Sequence, residues 1–375
     1  MARPKTRTLL YGAYGYTGRL AATLAAAKRL QLVLAGRREE PLRQLGQRLT
    51  LPTRAVGLDD TTRLEEALSD IGCVVHMAGP FATTSTPMLN ACLATGTHYV
   101  DITGEIEVFE AIWSRDKEIR GAGISVVPGA GFDVVPTDCL AAYTTTKLEE
   151  PRWLVMALRG LDGASQGTLR TAIRQISKPV LCRRQGVIVA LADRAPRMVN
   201  FGDGDEPCLP ISWGDVATAF HSTGIENITV YFRRTRLLHA ATAAGPLFSR
   251  LLQSQTGQKA LAAMIRRLPE GPNESERLKH RSTIRAEVAD DSGHTFAALL
   301  HTPDPYDFTA NSALDIAARL NVSTPFGLAT PSQAFGADFV LSLPGCSRVD
   351  VSPETTAPGL AGGSRRRGVK ARARS

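Results

Sequence analysis

The sequence predicts an α/β protein, with a doubly wound parallel sheet first and a second, smaller mixed α/β domain after it. Three observations predict it. The chain has 375 residues, beyond the roughly 250–300 at which one hydrophobic core stops growing, so two lobes are expected. Short apolar runs alternate with helical patterns between residues 6 and 127, the rhythm of parallel strands joined by crossover helices. Between the first run and the first helix stands a glycine cluster, GAYGYTG, in the place where a dinucleotide-binding turn of the Rossmann type sits.

Residues 6–11 (TRTLLY) are a short apolar run ending at Gly12, and RLAATLAAAKRL then carries a helical pattern. Residues 31–35 (QLVLA) are the second buried-strand run. Strand, glycine turn, helix and strand thus fall within about 30 residues, the βαβ unit that gives a glycine fingerprint meaning. Gly12 allows the tight turn off the strand, Gly15 lets backbone approach a pyrophosphate, and Gly18 lets the helix sit close to the sheet. The phosphates would lie at the helix N-terminus, where unpaired N–H groups and the helix dipole favour anions. Tyr14, Tyr16 and Thr17 complete the loop as candidate cofactor contacts.

The end of the second strand discriminates between cofactors. An NAD-selective domain carries Asp or Glu there to bind the ribose 2′-hydroxyl. This chain reads Gly36-Arg37-Arg38, with Glu39 and Glu40 only in the next helix. A guanidinium bonds a 2′-phosphate bidentately, so Arg37, and secondarily Arg38, point to NADP(H).

The alternation continues with a helix near 41–49, a strand near 54–57, a helix near 62–69 and a strand at 73–77 (CVVHM) ending in Ala78-Gly79-Pro80-Phe81. Helix 88–94, strand 98–102, helix 108–120 and strand 124–127 complete the first domain, residues 1–130. Ligands bind at the carboxyl ends of such strands, which makes Asp59, Gly79, Pro80, Phe81 and Gly104 further candidates for cofactor contact. Asp59 serves either an adenine or a helix N-terminus. In the second domain, residues 131–345, strands are expected at 153–159, 225–233, 282–289 and 295–301, and helices at 165–177, 247–267 and 309–320.

Residues 346–375 read as a disordered basic tail, since SPETTAPGLAGGS cannot bury apolar surface. The formal net charge is +8, and the tail's last eleven residues hold six of the positive charges, leaving about +2 elsewhere. A specific nucleic-acid role therefore has no support outside the tail. Hydrophobic residues make up 43% and charged residues 21%, as in ordinary globular proteins. No apolar run approaches the roughly 18–20 residues a membrane span needs, and the basic start runs straight into a strand, so a cytoplasmic location is expected. Six scattered cysteines show no CxxC pair and the seven histidines no ligand spacing, so no metal is expected.

No GxSxG elbow, HExxH pair or P-loop occurs, which removes the common hydrolase, zinc-protease and NTPase readings. Tyr143 and Lys147 make a YxxxK match, but Ala130 and Gly131 stand where short-chain dehydrogenases carry a serine. An extended short-chain dehydrogenase is kept as a minor alternative.

Several segments together resemble the saccharopine dehydrogenase-like oxidoreductases, in the branch that contains trans-acting enoyl reductases. They are LYGAYGYTGRL (10–20), LAGR (34–37), AGPF (78–81), ACLATGTHYVDITGE (91–105), GAGFDVVPTD (129–138), the SQGT core at 165–168 and GLATPSQAFG (327–336). They run in order across nearly the whole folded chain. Tyr14 departs from the pattern, the family usually having Thr there. The resemblance implies an NADP-binding Rossmann domain, an inserted mixed α/β domain, and C-terminal helices packing back on the first domain. It extends to an enoyl reductase acting on a small-molecule or carrier-bound acyl (polyketide- or lipid-type) substrate.

Reducing a C=C bond conjugated to a carbonyl requires a donor for the enolate oxygen and a proton for the α-carbon, besides hydride. The candidates by position are Tyr99, Asp101 and Asp133, with Thr103, Glu105 and Asp138 nearby, and each has an alternative structural role in capping or turns. A rival function is an NADP(H)-binding scaffold that meets lipid, a membrane surface or a protein partner through its second lobe without turnover. A homodimer is compatible with either reading.

Overall fold

The computed structural model describes residues 5–160, 163, 165–169, 178–234, 257, 263–265, 267–322 and 326–351. The first domain runs β1 (Arg7–Tyr11), α1 (Tyr16–Ala27), β2 (Leu32–Gly36), α2 (Glu39–Leu49), β3 (Thr53–Ala55), α3 (Thr61–Leu68), β4 (Ile71–His76), α4 (Phe81–Thr95), β5 (His98–Asp101), α5 (Ile106–Trp113), α6 (Asp116–Gly121) and β6 (Ser125–Val127). The single helix expected over 108–120 is two. Ser114 turns its hydroxyl back to the Ala111 carbonyl (2.7 Å) and Arg115 leaves the helical region, so α5 ends before α6 begins.

The second domain holds α7 (Val135–Thr145), β7 (Trp153–Arg159), β8 (Leu181–Arg184), β9 (Val187–Ala190), β10 (Arg197–Asn200), β11 (Asp205–Ile211), α8 (Asp215–Thr223), β12 (Asn227–Arg233), α9 (Glu274–Lys279), β13 (Ser282–Ala289) and β14 (Thr295–Thr302). The chain then returns through α10 (Pro305–Leu320), β15 (Gly327–Leu328) and α11 (Pro331–Phe335), and ends its described course in β16 (Ser347–Val351).

The first sheet has the order β15-β6-β5-β4-β1-β2-β3 with every pair parallel. Helices cover both faces, which is why its strands read as unbroken apolar runs. Leu9, Leu10, Leu34, Val74, Val75 and Val100 are fully buried. Strand order reverses between β1, which continues to β2 on one side, and β4 on the other, the switch point where such sheets bind ligands. The second sheet runs β10-β11-β12-β7-β13-β14-β16 and is mixed, β12 and β7 being its parallel pair. The hairpin of β8 and β9 joins it beside β12.

The return of the chain ties the domains together. α10 packs along α1, and Asn321 just past its end donates to the Thr8 hydroxyl of β1 (2.9 Å). Ser347–Val351, expected within a disordered tail, instead pairs antiparallel with β14. The Pro/Gly/Ser composition of the following residues hid an alternating Val-Asp-Val segment that suits an edge strand. Residues 352–375 lie outside the described residues, as does most of the helices expected over 165–177 and 247–267; residues 166–169 and 263–265 are helical. Among the described residues no helix is long and apolar enough to cross a membrane, and no cluster of metal-ligating side chains occurs.

Candidate functional site

The glycine loop is built by close approach. Gly12 follows β1 with φ +87°, which L side chains rarely adopt, and a Cβ there would press on the Met77–Ala78 backbone at 2.9 Å. Its N–H donates to the Ala35 carbonyl of β2 (2.9 Å), so one residue clamps the ends of β1, β2 and β4. A Cβ on Gly18 would run into the Gly12 carbonyl oxygen, which is how α1 sits directly on the turn. Gly15 is exposed at the N-cap of α1, where no side chain caps the helix and no acid stands in the first turn. The positive end of α1 thus stays open, and the Cβ-free cradle fits a pyrophosphate. The Thr17 side chain, in that first turn, makes no hydrogen bond among the described residues.

At the end of β2 the two arginines differ. Tyr14 lays its ring across Gly36, where a Cβ would come within 2.6 Å of it, and accepts the Arg38 N–H at its hydroxyl (3.3 Å). The Arg38 guanidinium stacks on that ring, 4.8 Å from the centroid. Arg37 is exposed, and its guanidinium has no carboxylate, carbonyl or ring partner among the described residues. Asp59 is exposed and folds back over Gly57, whereas the cap of α3 is Asp60, which accepts the Arg63 N–H (3.1 Å). Tyr11 beneath them donates to the Val56 carbonyl (3.1 Å), and burial pushes its phenol up to about 12.

The loop after β4, with Gly79, Pro80 and Phe81, borders Gly12 through Ala78. Unlike α1, α4 has its N-terminus occupied: Glu105 accepts from the N–H groups of Phe81 (3.0 Å) and Ala82 (2.9 Å). Behind this loop His76 is fully buried. Its Nε2 lies 3.0 Å from the Thr84 hydroxyl, its Nδ1 has no partner, and desolvation pulls its pKa down to about 3, so it is neutral.

Of the three catalytic candidates, two are spent on the chain itself. Asp101 is wholly buried and accepts three bonds, from the Tyr99 hydroxyl (2.7 Å) and from the N–H groups of Thr103 (3.0 Å) and Gly129 (2.9 Å). Burial pushes it up to about 6. Tyr99 is equally buried. The pair knots the loop after β5 to the loop after β6. Thr103 accepts the Glu105 N–H (3.1 Å), and buried Asp138 accepts the Ser332 N–H (2.7 Å), which anchors α11 to α7.

Asp133 is different. It is only half-buried, it abuts Gly104 closely enough that a Cβ there would lie 2.6 Å from its Oδ2, and no donor reaches its carboxylate among the described residues. Desolvation pushes it up to about 6. Within reach of its charge is Tyr306, a residue the sequence alone does not mark for chemistry. Tyr306 is placed by an Asp-Pro start of α10, where Asp304 accepts the N–H groups of Tyr306 (2.9 Å) and Asp307 (3.3 Å). Its hydroxyl accepts the Ser165 N–H (2.6 Å) and bonds the Thr168 hydroxyl (2.9 Å), so the SQGT segment converges on it. Burial raises its phenol, with the Asp133 charge adding to the effect. Tyr16, from the glycine loop, meets the Tyr306 ring edge-on at 4.9 Å and donates to the Pro272 carbonyl (2.5 Å). The loop, α10 and the segment before α9 therefore meet at one place, Arg19–Glu270 and Arg277–Asp307 ion pairs bracing them.

Tyr143 and Lys147 do not join this place. The Tyr143 hydroxyl donates to Asp350 of β16 (2.8 Å), with Arg348 and Lys147 over its ring.

Comparison with known proteins agrees with this geometry. Residues 8–127 match the family described as the saccharopine dehydrogenase NADP binding domain. A trans-acting enoyl reductase of Mycobacterium bovis is 25% identical over 91% of this chain and 96% of its own. Another of that name, from Mycobacterium leprae, is 31% identical over 35% of this chain, and the aligned stretch spans 33% of that protein. Among solved structures, apo saccharopine dehydrogenase from Saccharomyces cerevisiae superposes with a TM-score of 0.62 over 92% of this chain and all of that one, at 13% identity, a likeness of fold.

Proposed function

We propose that this chain, whose residues 8–127 match the saccharopine dehydrogenase NADP binding domain and which is similar along most of its length to a trans-acting enoyl reductase, is an NADPH-dependent reductase of C=C bonds in acyl substrates, delivered free or on a carrier. The observation that carries the cofactor half is the exposed Arg37 guanidinium at the end of β2, without a partner among the described residues, next to the α1 N-terminus, which no described side chain caps. In this reading Gly12, Gly15, Gly18 and Thr17 hold the pyrophosphate, Arg37 binds the 2′-phosphate, and Tyr14 with Arg38 borders the adenosine. Asp59, Gly79, Pro80, Phe81 and Gly104 line the same sheet edge. The acyl half rests on the similarity to the trans-acting enoyl reductases. Bound NADPH supplies a hydride; the chain's part is to orient its acceptor and manage the proton.

Calorimetric titration of NADPH and NADH against wild type and Arg37→Ala tests the cofactor half. Losing charge-assisted bonds to the 2′-phosphate is expected to cost about 1.5–3 kcal/mol, roughly ten- to a hundredfold in NADPH affinity, with NADH little changed. Equal affinity of both proteins for NADPH would remove Arg37 from the site. NADPH binding without reduction of any unsaturated acyl thioester would favour the scaffold reading.

A further inference from the structure

We propose that Asp133 and Tyr306 are the catalytic residues that complete reduction of an α,β-unsaturated acyl substrate, Asp133 giving the proton to the α-carbon and Tyr306 holding the enolate oxygen. This rests on the reductase reading above. Tyr306 lies where the glycine loop meets the start of α10, and the loop after β6 that carries Asp133 is bonded to the same helix, the Phe132 N–H donating to the Thr309 hydroxyl (3.0 Å).

The hydrogen-bond inventory carries the assignment. The other acids of this sheet edge whose position suggested chemistry each hold donors of the chain: Asp101 holds three, Glu105 caps α4, and one oxygen of Asp138 holds the Ser332 N–H while its other oxygen is fully buried. The Asp133 carboxylate receives no donor among the described residues, and Gly104 leaves room beside it by lacking a side chain. A carboxyl left without donors in a desolvated turn favours its protonated form, and a protonated carboxyl is a donor.

Tyr306 complements it. Its oxygen receives the Ser165 N–H at 2.6 Å, and when the Thr168 hydroxyl also donates (2.9 Å) the phenolic proton is left to point elsewhere. Ser165 Oγ lies 3.1 Å from Thr168 Oγ1 and accepts the Thr168 N–H (3.2 Å), which fixes that hydroxyl's position. A phenol with two donors on its oxygen is a stronger donor to a third group, the property an oxyanion site requires.

The step balances as follows. Hydride from NADPH forms the new C–H bond at the β-carbon, leaving NADP⁺. The displaced C=C pair moves toward the carbonyl, whose oxygen takes the charge and accepts the Tyr306 hydroxyl. That pair then takes the Asp133 proton at the α-carbon, the carbonyl re-forms, and the Asp133 carboxylate regains a proton from water.

The test uses full-length wild type, Asp133→Asn, Asp133→Glu and Tyr306→Phe with NADPH and crotonyl N-acetylcysteamine thioester in deuterated water. NADPH affinity, measured first, is expected to be unchanged in all variants. Asp133→Asn is expected to lower kcat by about a hundredfold or more, with Asp133→Glu partly restoring it. Tyr306→Phe is expected to lower it by a factor of about a hundred. Wild-type product should carry one deuteron at the α-carbon in a single configuration, and Asp133→Asn product should be mixed there. Independently of turnover, the infrared difference between wild type and Asp133→Asn at pH 5 should show a protonated-carboxyl band. A missing band, or variants matching wild type in rate and configuration, overturns the assignment and leaves the reductase reading intact. Wild type that binds NADPH and leaves the thioester unreduced overturns the acyl-reductase reading and this assignment with it.

Discussion

The loops leaving β5 and β6 carry one carboxyl each, Asp101 and Asp133, and burial pushes both up to about 6. The first has three donors supplied by the protein and no exposed surface; the second has no donor among the described residues and some exposure. A raised pKa is therefore the same symptom of two conditions. In the β5 loop the carboxylate organises the chain, and its bonds partly offset the cost of burying it. In the β6 loop no donor among the described residues offsets that cost, and the hydrogen-bonding capacity of the group stays unused there. Unused capacity, more than the shift itself, separates a site from a scaffold.

The sharpest way to break the comparison is to truncate both acids. Asp101→Ala leaves the Tyr99 hydroxyl and two buried N–H groups without an acceptor. At about 1–3 kcal/mol for each of the three orphaned donors, the loss should be about 3–9 kcal/mol in urea unfolding. Asp133→Ala strands no donor among the described residues and removes a carboxyl whose burial is uncompensated, so it should leave stability unchanged or raise it. Equal losses would mean that the β6 loop is also scaffold.

The next effect down separates two glycines of the cofactor loop. Gly18→Ala forces the Gly12 carbonyl and Ala13 backbone apart, an overpacking cost of about 1–3 kcal/mol, and NADPH affinity should fall with it. Gly15 is exposed and its Cβ would meet only the Gly12 oxygen, at 3.2 Å. Gly15→Ala should weaken NADPH binding while leaving the urea midpoint near that of wild type. A fall in stability as large as that of Gly18→Ala would show that Gly15 serves packing and not the ligand.

The parts of this contrast that sequence makes legible are the local ones. The β1–α1–β2 unit is readable because a strand, a turn and a helix lie within one short window, and the buried runs at Leu9–Leu10 and Val74–Val75 have no polar face to confuse them. The strands β8 to β11 were not anticipated. They are short, carry Arg183, Arg184, Arg197, Pro207 and Pro210, and leave Val187 and Met198 exposed, so no alternation marks an inside. The site at Asp133 was half legible. The acid stands out in a Gly-rich turn, but its partners are Tyr306 and the Ser165–Thr168 segment, and no window of sequence reveals that α10 brings them together. The helix was expected to begin only at 309, so the turn of helix that Asp304 caps, and the Tyr306 it places, lay outside the expected element.

Linkage sharpens the difference between the acids and the buried base. Asp133 titrates at about 6 folded against 3.8 unfolded, so the folded state holds the extra proton between those values and stability falls as pH rises through them. His76 runs the other way: at about 3 folded against 6.5 unfolded, it costs stability as pH falls through that window. Asp133→Asn removes the first contribution and leaves the second. Its melting temperature relative to wild type should therefore rise between pH 4 and pH 7. A difference that stays flat across that range would mean that Asp133 ionises freely in the folded protein, and its place as an acid would be lost.

The smallest effect concerns the pair that imitates a catalytic motif. Tyr143 donates its hydroxyl to Asp350 at 2.8 Å, between the Lys147 ammonium at 4.4 Å and the Arg348 guanidinium at 3.3 Å from its ring centroid. A phenol that already bonds a carboxylate and lies under two cations is holding β16 against α7, and it has no proton to spare for a substrate. Tyr143→Phe keeps both ring contacts and loses one partly exposed hydrogen bond, a cost of no more than about 1 kcal/mol. NADPH affinity and any turnover should match wild type. A selective loss of kcat, with binding and melting temperature unchanged, would instead return the tyrosine–lysine pair to the chemistry and put Tyr306 in doubt, because one reduction does not need two phenols on opposite ends of α7 and α10.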